Sequence, residues 1–143
     1  MIIINEFVWN QDHYVYHLTE KEAMPNIIVE GLKPKCGVRS QLVGDIRKAV
    51  YFFDSLSKTE NWLEYLYANK DLKGLELLRF NLKQRRWKIQ CSQVEDFYLL
   101  NPVLPQGIDY ATLYDERGQI VTLDNDFSKV KILWKPLSKY EQR

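Results

Sequence analysis

His17 stands at the end of one apolar run, Tyr14-Val15-Tyr16-His17-Leu18, and Tyr51 sits inside another, Ala49-Val50-Tyr51-Phe52-Phe53. A neutral imidazole at a strand end can hydrogen-bond a sugar hydroxyl or an amide without bringing a fixed charge. Thr19 can add a hydroxyl contact beside it. A tyrosine that faces a cleft can stack on a flat heterocycle. Between the two runs lies a long loop, 31–47, punctuated by Gly31, Pro34, Gly37 and Gly44, with Lys33, Lys35, Arg39, Arg47 and Lys48 on or beside it. Glycines permit close backbone approach and arginine forks onto a diphosphate. Farther on, Glu95 and Asp96 open the run Phe97-Tyr98-Leu99-Leu100. A carboxylate beside a sugar can hold a 2′-hydroxyl and stabilise an oxocarbenium-like transition state, or act as a general base. The set suits a site that grips a sugar–phosphate ligand bearing an aromatic ring.

Each piece has a plainer reading. Taken alone, His17 is a buried histidine satisfied by backbone or a surface histidine; His13, with nothing organised around it, is given no role. Thr19 is equally a helix cap, Tyr51 a core aromatic, and 31–47 a solvated surface loop. Alternation puts Tyr51 and Phe53 on one face of their strand and Val50 and Phe52 on the other. For the same reason only one of Glu95 and Asp96 enters a given pocket, and an exposed acidic pair is the simpler account of both. Other chemistries find no pattern. There is no Gly-x-x-x-x-Gly-Lys, no Gly-x-Gly-x-x-Gly and no Gly-x-Ser-x-Gly. Two histidines and two cysteines, far apart, make no recognisable zinc pattern or disulfide scaffold.

The elements that must position these residues are mostly strands. Runs rich in Ile, Val, Phe, Tyr and Leu, bounded by Gly, Pro, Asn and Asp, predict strands over 2–9, 14–18, 49–53, 75–82, 86–90, 95–100, 108–114, 119–123 and 130–135. Asp115-Glu116-Arg117-Gly118 reads as a hairpin turn. Two helices precede most of them. Thr19 and Glu22 stand at capping-box spacing and Gly31 closes the segment, with regular helix expected from near Pro25. The second helix is expected from Ser57, with Glu60 three residues on and Trp62, Tyr65, Leu66 and Asn69 at helical spacing. Early helices and later strands argue for an α+β fold with a mainly antiparallel sheet, rather than alternating βαβ units.

The 143 residues predict one domain, 1–143, with one proper core. Apolar residues at 45% and charged residues at 27% are ordinary for a soluble globular protein, and a net charge of +1 gives no global field for nucleic acid. The charge is unevenly placed. Residues 70–88 carry a net +5 and residues 89–126 a net −6. These are either complementary solvated faces, or the cluster Lys83-Gln84-Arg85-Arg86-Trp87-Lys88 contacts phosphates, with Trp87 stacking on a base. The start, Met1-Ile2-Ile3-Ile4, lacks a basic n-region and reads as an edge strand rather than a signal peptide. No stretch approaches the roughly 18 apolar residues of a membrane span. A cytoplasmic location is the default expectation.

The tract 14–54 resembles the histidine–tyrosine–glutamate branch of the ADP-ribosyltransferase superfamily, which includes the poly(ADP-ribose) polymerases and small bacterial and phage relatives. It has a strand with the histidine, a helix ending in Gly31-Leu32-Lys33-Pro34, a loop, then a strand with the tyrosine. Glu95 to Ile108 adds a carboxylate opening a strand and the proline-containing turn Asn101-Pro102-Val103-Leu104-Pro105, so the resemblance covers about half the chain. It implies a split, mainly antiparallel sheet and NAD as substrate. His17 would bind the adenosine-side ribose or the nicotinamide amide, and Thr19 would add to that contact. Tyr51 would stack on nicotinamide. Glu95, or Asp96 if the strand is shifted by one residue, would hold the nicotinamide ribose 2′-hydroxyl. Gly37, Arg39 and Ser40 would lie near the diphosphate or ribose. The acceptor, a protein, nucleic acid or small molecule, is not implied; the basic segment favours nucleic acid. Small members are often toxins or effectors, which implies a neutralising partner protein. The alternatives are a non-catalytic nucleotide- or nucleic-acid-binding module, and a relative of the NAD-consuming RNA 2′-phosphotransferases.

Overall fold

A computed structural model describes residues 3–8, 11–34, 50–69, 74–83, 86–91, 97–99, 102–123 and 129–141. Among them the chain order is β1 (Ile3–Val8), β2 (Tyr14–Glu20), a 3-10 turn (Lys21–Ala23), α1 (Met24–Glu30), β3 (Val50–Phe52), α2 (Leu56–Asn69), β4 (Leu75–Asn81), β5 (Arg86–Cys91), β6 (Phe97–Leu99), a second 3-10 turn (Pro105–Gly107), β7 (Ile108–Tyr114), β8 (Ile120–Val121), β9 (Lys131–Pro136) and a third 3-10 turn (Leu137–Lys139). Each expected strand is present, and 108–114 matches residue for residue.

The strands form two sheets, and every pairing between them is antiparallel. One has the order β1-β5-β6-β3, which leaves β1 at its edge as expected. The other runs β2-β4-β7, with β8 and β9 both on β7. With the two described helices ahead of β4, the chain is α+β with a mainly antiparallel, split sheet.

Two local expectations are corrected. The strand expected to end at Leu18 runs on to Glu20, so Thr19 is a strand residue and not a helix cap. Its β-branched side chain fits the pleat, and its hydroxyl donates to the carbonyl of Glu20 at 3.4 Å. The helix entry that follows has no side-chain cap. Pro25 lies in the first turn of α1, where its missing N–H is harmless. Gly31 ends the helix at φ +75°, and a Cβ there would run into the carbonyl oxygen of Val103. The second helix is capped by Ser55 rather than Ser57. Ser55 Oγ accepts from the Lys58 N–H at 3.2 Å, and the Thr59 hydroxyl donates to the Ser55 carbonyl at 2.9 Å.

The β2-β4-β7-β9 sheet is buried on both faces, which explains why Leu75, Leu77 and Leu78 are all buried in a strand that does not alternate. On one face Val15, Leu78, Phe80, Ile108 and Tyr110 meet Met24 and Ile27 of α1, Val50 and Phe52 of β3, Val103 and Leu137. On the other, Leu75, Leu77, Ala111 and Leu113 meet Leu63 of α2 and Leu123, with Leu56 and Trp62 packed beside them. Each fully buried Leu or Phe here contributes roughly 1.5–3 kcal/mol of transfer free energy.

Candidate functional site

Among the described residues, one backbone bridge joins the two sheets, beside the packing of Val50 and Phe52 against the other sheet. Tyr16 of β2 and Phe53, just past β3, form an isolated antiparallel bridge. The Tyr16 N–H donates to the Phe53 carbonyl at 2.8 Å, and the Phe53 N–H to the Tyr16 carbonyl at 2.7 Å. His17 is one residue beyond the bridge on one strand, and Tyr51 two residues before it on the other. The structure therefore brings the two candidate positions to a single junction, although 33 residues separate them in the chain.

Their faces can be read from the registers. His17, half-buried and opposite Leu78, shares its face of β2 with Val15 and Thr19. Val50 and Phe52 are buried in the first core cluster, so the Tyr51 position lies on the other face of β3, opposite Tyr98 of β6. Carried through the bridge, alternation would pair His17 with Phe52 and Leu18 with Tyr51. The pairing stops at the single bridge. His17 and Tyr51 thus both lie within two residues of the bridge and are not partners across one sheet face.

Thr19 is buried directly opposite Glu76 of β4, itself buried at 8% exposure. The Tyr140 hydroxyl donates to Glu76 Oε1 at 3.0 Å. Tyr140 sets its ring edge-on to Tyr110 at 5.1 Å, and the Tyr110 hydroxyl donates to the Lys139 carbonyl at 3.0 Å. Glu76 is an acidic residue within the net-positive segment 70–88. It interrupts the apolar run Leu75-Glu76-Leu77-Leu78.

On the opposite face of the same sheet, Arg79 lies across from Tyr16 on β2 and Asp109 on β7. Its guanidinium carbon is 4.0 Å from the Tyr14 ring centroid and 4.6 Å from that of Trp134, and Nε donates to Asp109 Oδ2 at 2.9 Å. The charge of Arg79 is thus spent on a neighbouring strand and two rings. Beside the junction, Lys58 Nζ makes an ion-pair contact with Asp54 Oδ1 at 2.9 Å without the geometry of a directed hydrogen bond, at the start of α2.

Glu95, Asp96, Gly37, Arg39 and Ser40 lie outside the described residues, as does the side chain of Tyr51. The strand that follows the two carboxylates is placed: β6 begins at Phe97, opposite Phe52, next to the tyrosine strand. Of the basic cluster, Arg86, Trp87 and Lys88 occupy β5 opposite Val8, Phe7 and Glu6, between β1 and β6. Among the described residues no group of three or more His, Cys, Asp or Glu side chains could hold a metal ion, and no helix is long and apolar enough to cross a membrane.

No protein-family model and no curated protein matches the chain. Among solved structures the chain is similar to EcPltA, at 17% sequence identity and a TM-score of 0.45, over 78% of this chain and 83% of that one. The case for function rests on the junction and on the residues around it.

Proposed function

We propose that the chain is an NAD-consuming ADP-ribosyltransferase. The observation that supports this reading is the Tyr16–Phe53 bridge, which joins two antiparallel sheets with the histidine strand on one side and the tyrosine strand on the other. The strand next to the tyrosine strand is the one that follows Glu95 and Asp96. In this reading His17 and Thr19 take the adenosine-side ribose and Tyr51 stacks on nicotinamide. Gly37, Arg39 and Ser40 lie along the diphosphate. One of the two carboxylates holds the 2′-hydroxyl of the nicotinamide ribose.

The chemistry is a displacement at a sugar carbon. The bond from C1′ to the ring nitrogen breaks, the nitrogen keeps the electron pair, and nicotinamide leaves neutral. Positive charge develops on C1′ and the ring oxygen. A carboxylate held beside it stabilises that charge, a contribution worth on the order of 100–1000-fold in rate for one well-placed group. The acceptor attacks C1′ and releases its proton. The basic residues of 70–88 make nucleic acid the first acceptor class to try.

The test is to incubate the purified protein with NAD and follow free nicotinamide over hours, against a Glu95→Gln/Asp96→Asn double variant. Release by the unaltered chain alone supports the reading. Neither release nor an NAD-induced rise in melting temperature, with nucleic-acid and protein acceptors present, overturns it. A rise in melting temperature without release points to a nucleotide-binding module in its place.

A further inference from the structure

Among the described residues β9 is the last strand on its side of the sheet. Asp109 and Tyr110 of β7 pair with both β4 and β9, and Leu113 and Tyr114 with both β8 and β9, so β9 has one edge of β7 to itself. In an antiparallel ladder alternate residues aim their N–H and C=O groups away from the partner strand. The outer edge of β9 is therefore a row of backbone donors and acceptors that a further strand could use.

Its side chains alternate. Val130, Ile132 and Trp134 pack beside the second core. Lys131, Leu133 and Lys135 take the other face, opposite Tyr114, Thr112 and Tyr110. Tyr140 packs edge-on against Tyr110 on that face. Farther along it Leu133 is 45% exposed, and Ile120, opposite Tyr114 on β8, is 56% exposed. Neither Lys131 nor Lys135 is in an ion pair with a described residue.

Lysines by themselves guard an open edge against other copies of the chain. Two copies paired antiparallel about Leu133 would set Lys131 of each against Lys135 of the other, and like charges directly opposite are destabilising. A second copy is thus the wrong occupant. Guarding, however, does not call for an exposed leucine between the lysines. A strand with an aliphatic residue flanked at two positions on either side by carboxylates suits all three places. Opposite charges then face each other at Lys131 and Lys135, and an apolar pair forms at Leu133. Nucleic acid would use the lysines alone and could not extend the ladder.

We propose that β9 is a docking edge for an extended acidic segment of a partner protein, which joins the sheet as an added strand. Main-chain bonds to β9 give the affinity, and the row Lys131, Leu133, Lys135 selects acidic and aliphatic side chains in alternation. β9 is three strands from β2, about 14 Å across the sheet at the usual spacing. The segment binds away from the Tyr16–Phe53 junction, and the inference does not depend on the NAD reading.

The probe is a synthetic peptide with blocked termini that alternates Glu and Val over about ten residues, longer than a usual strand. It is titrated by NMR into the full chain and into the double variant Lys131→Glu/Lys135→Glu, beside the same peptide with Lys for Glu and a thymidine oligonucleotide. The unaltered chain is expected to bind the Glu–Val peptide at least about tenfold more tightly than the Lys–Val peptide, and the double variant to reverse that order. The reversal also shows that the variant is folded. Bound Glu–Val peptide is expected to slow hydrogen exchange at alternate amides of 131–135, those that face away from β7. No binding of the Glu–Val peptide at about 1 mM, the scale of a very weak complex, overturns the inference. So does binding that the double variant leaves unchanged, or protection confined to amides away from β9. Tighter binding of the oligonucleotide than of either peptide, or a dimer of the unaltered chain that Leu133→Glu separates, gives the edge to another occupant and overturns it as well.

Discussion

Tyr16 and Phe53 exchange both of their backbone hydrogen bonds, and among the described residues this one pair links the backbones of the two sheets. A single bridge is a weak tie compared with the seven-residue ladder of β2 on β4. Local opening there breaks two backbone hydrogen bonds rather than a ladder. The Tyr16 and Phe53 amides are therefore expected to exchange with solvent hydrogen at matched rates, faster than those of Leu78 and Phe80. NAD at 100 times its dissociation constant should slow both by up to about 100-fold, the linkage value of about 2.7 kcal/mol. Exchange followed by NMR checks this. Protection confined to other parts of the chain would place the ligand away from the junction.

The strand expected over 95–100 would put Asp96 in step with Tyr98, which lies opposite Tyr51, and Glu95 in step with Phe97, which lies opposite Phe52. One of the single variants Glu95→Gln and Asp96→Asn is expected to lower nicotinamide release by at least about 100-fold with NAD affinity nearly unchanged, the signature of a lost transition-state contact. The other should stay within a few-fold. Single-turnover assays and titration together separate the two effects. Equal loss of binding and rate in both variants would mean that neither acts on the transition state.

Strands were legible because their signal is local: the run of Ile, Tyr, Ala, Thr and Leu in 108–114 carries its own pattern. What needed distant partners was not. Thr19 and Glu22 form a plausible capping pair over four residues, yet the strand continues because Glu76, 57 positions away, lies across from Thr19. Charge summed along 70–88 hid Glu76 among seven basic residues, whereas the sheet sets it among buried leucines. The order of His17, loop and Tyr51 could be read, but the bridge that joins their strands could not. It is made of backbone groups on Tyr16 and Phe53, and backbone bonding leaves no mark on residue type.

Ser55 and Ser57 are the same residue type two positions apart, and only one caps α2. Phe53 is still tied to Tyr16, so the chain must turn at Asp54 and Ser55 and the helix starts there. Ser55→Ala is expected to destabilise the fold by about 1 kcal/mol, the usual worth of an N-cap. Ser57→Ala, exposed within the first turn, should change it by less than about 0.5 kcal/mol. Urea unfolding of the two variants decides it, and a reversed order would put the cap back at Ser57.

Arg79 separates two kinds of contact that usually come together. Its ion pair with Asp109 is partly exposed, with the side chains at 21% and 31%, so screening holds it to about 0.5–1 kcal/mol. The stacking of its planar head against Tyr14 and Trp134 adds about 0.5–1 kcal/mol per ring, and more where water is excluded. The rings should therefore outweigh the carboxylate. Arg79→Lys keeps the charge and loses the flat stacking surface, and is expected to cost more than Asp109→Asn, which removes only the pair. Raising salt to about 1 M, where the Debye length is about 3 Å, should remove most of the Asp109→Asn effect and little of the Arg79→Lys effect. Unfolding midpoints at two salt concentrations measure both. If Asp109→Asn costs as much as Arg79→Ala, the ion pair carries the contact, and the two rings merely line the space around it.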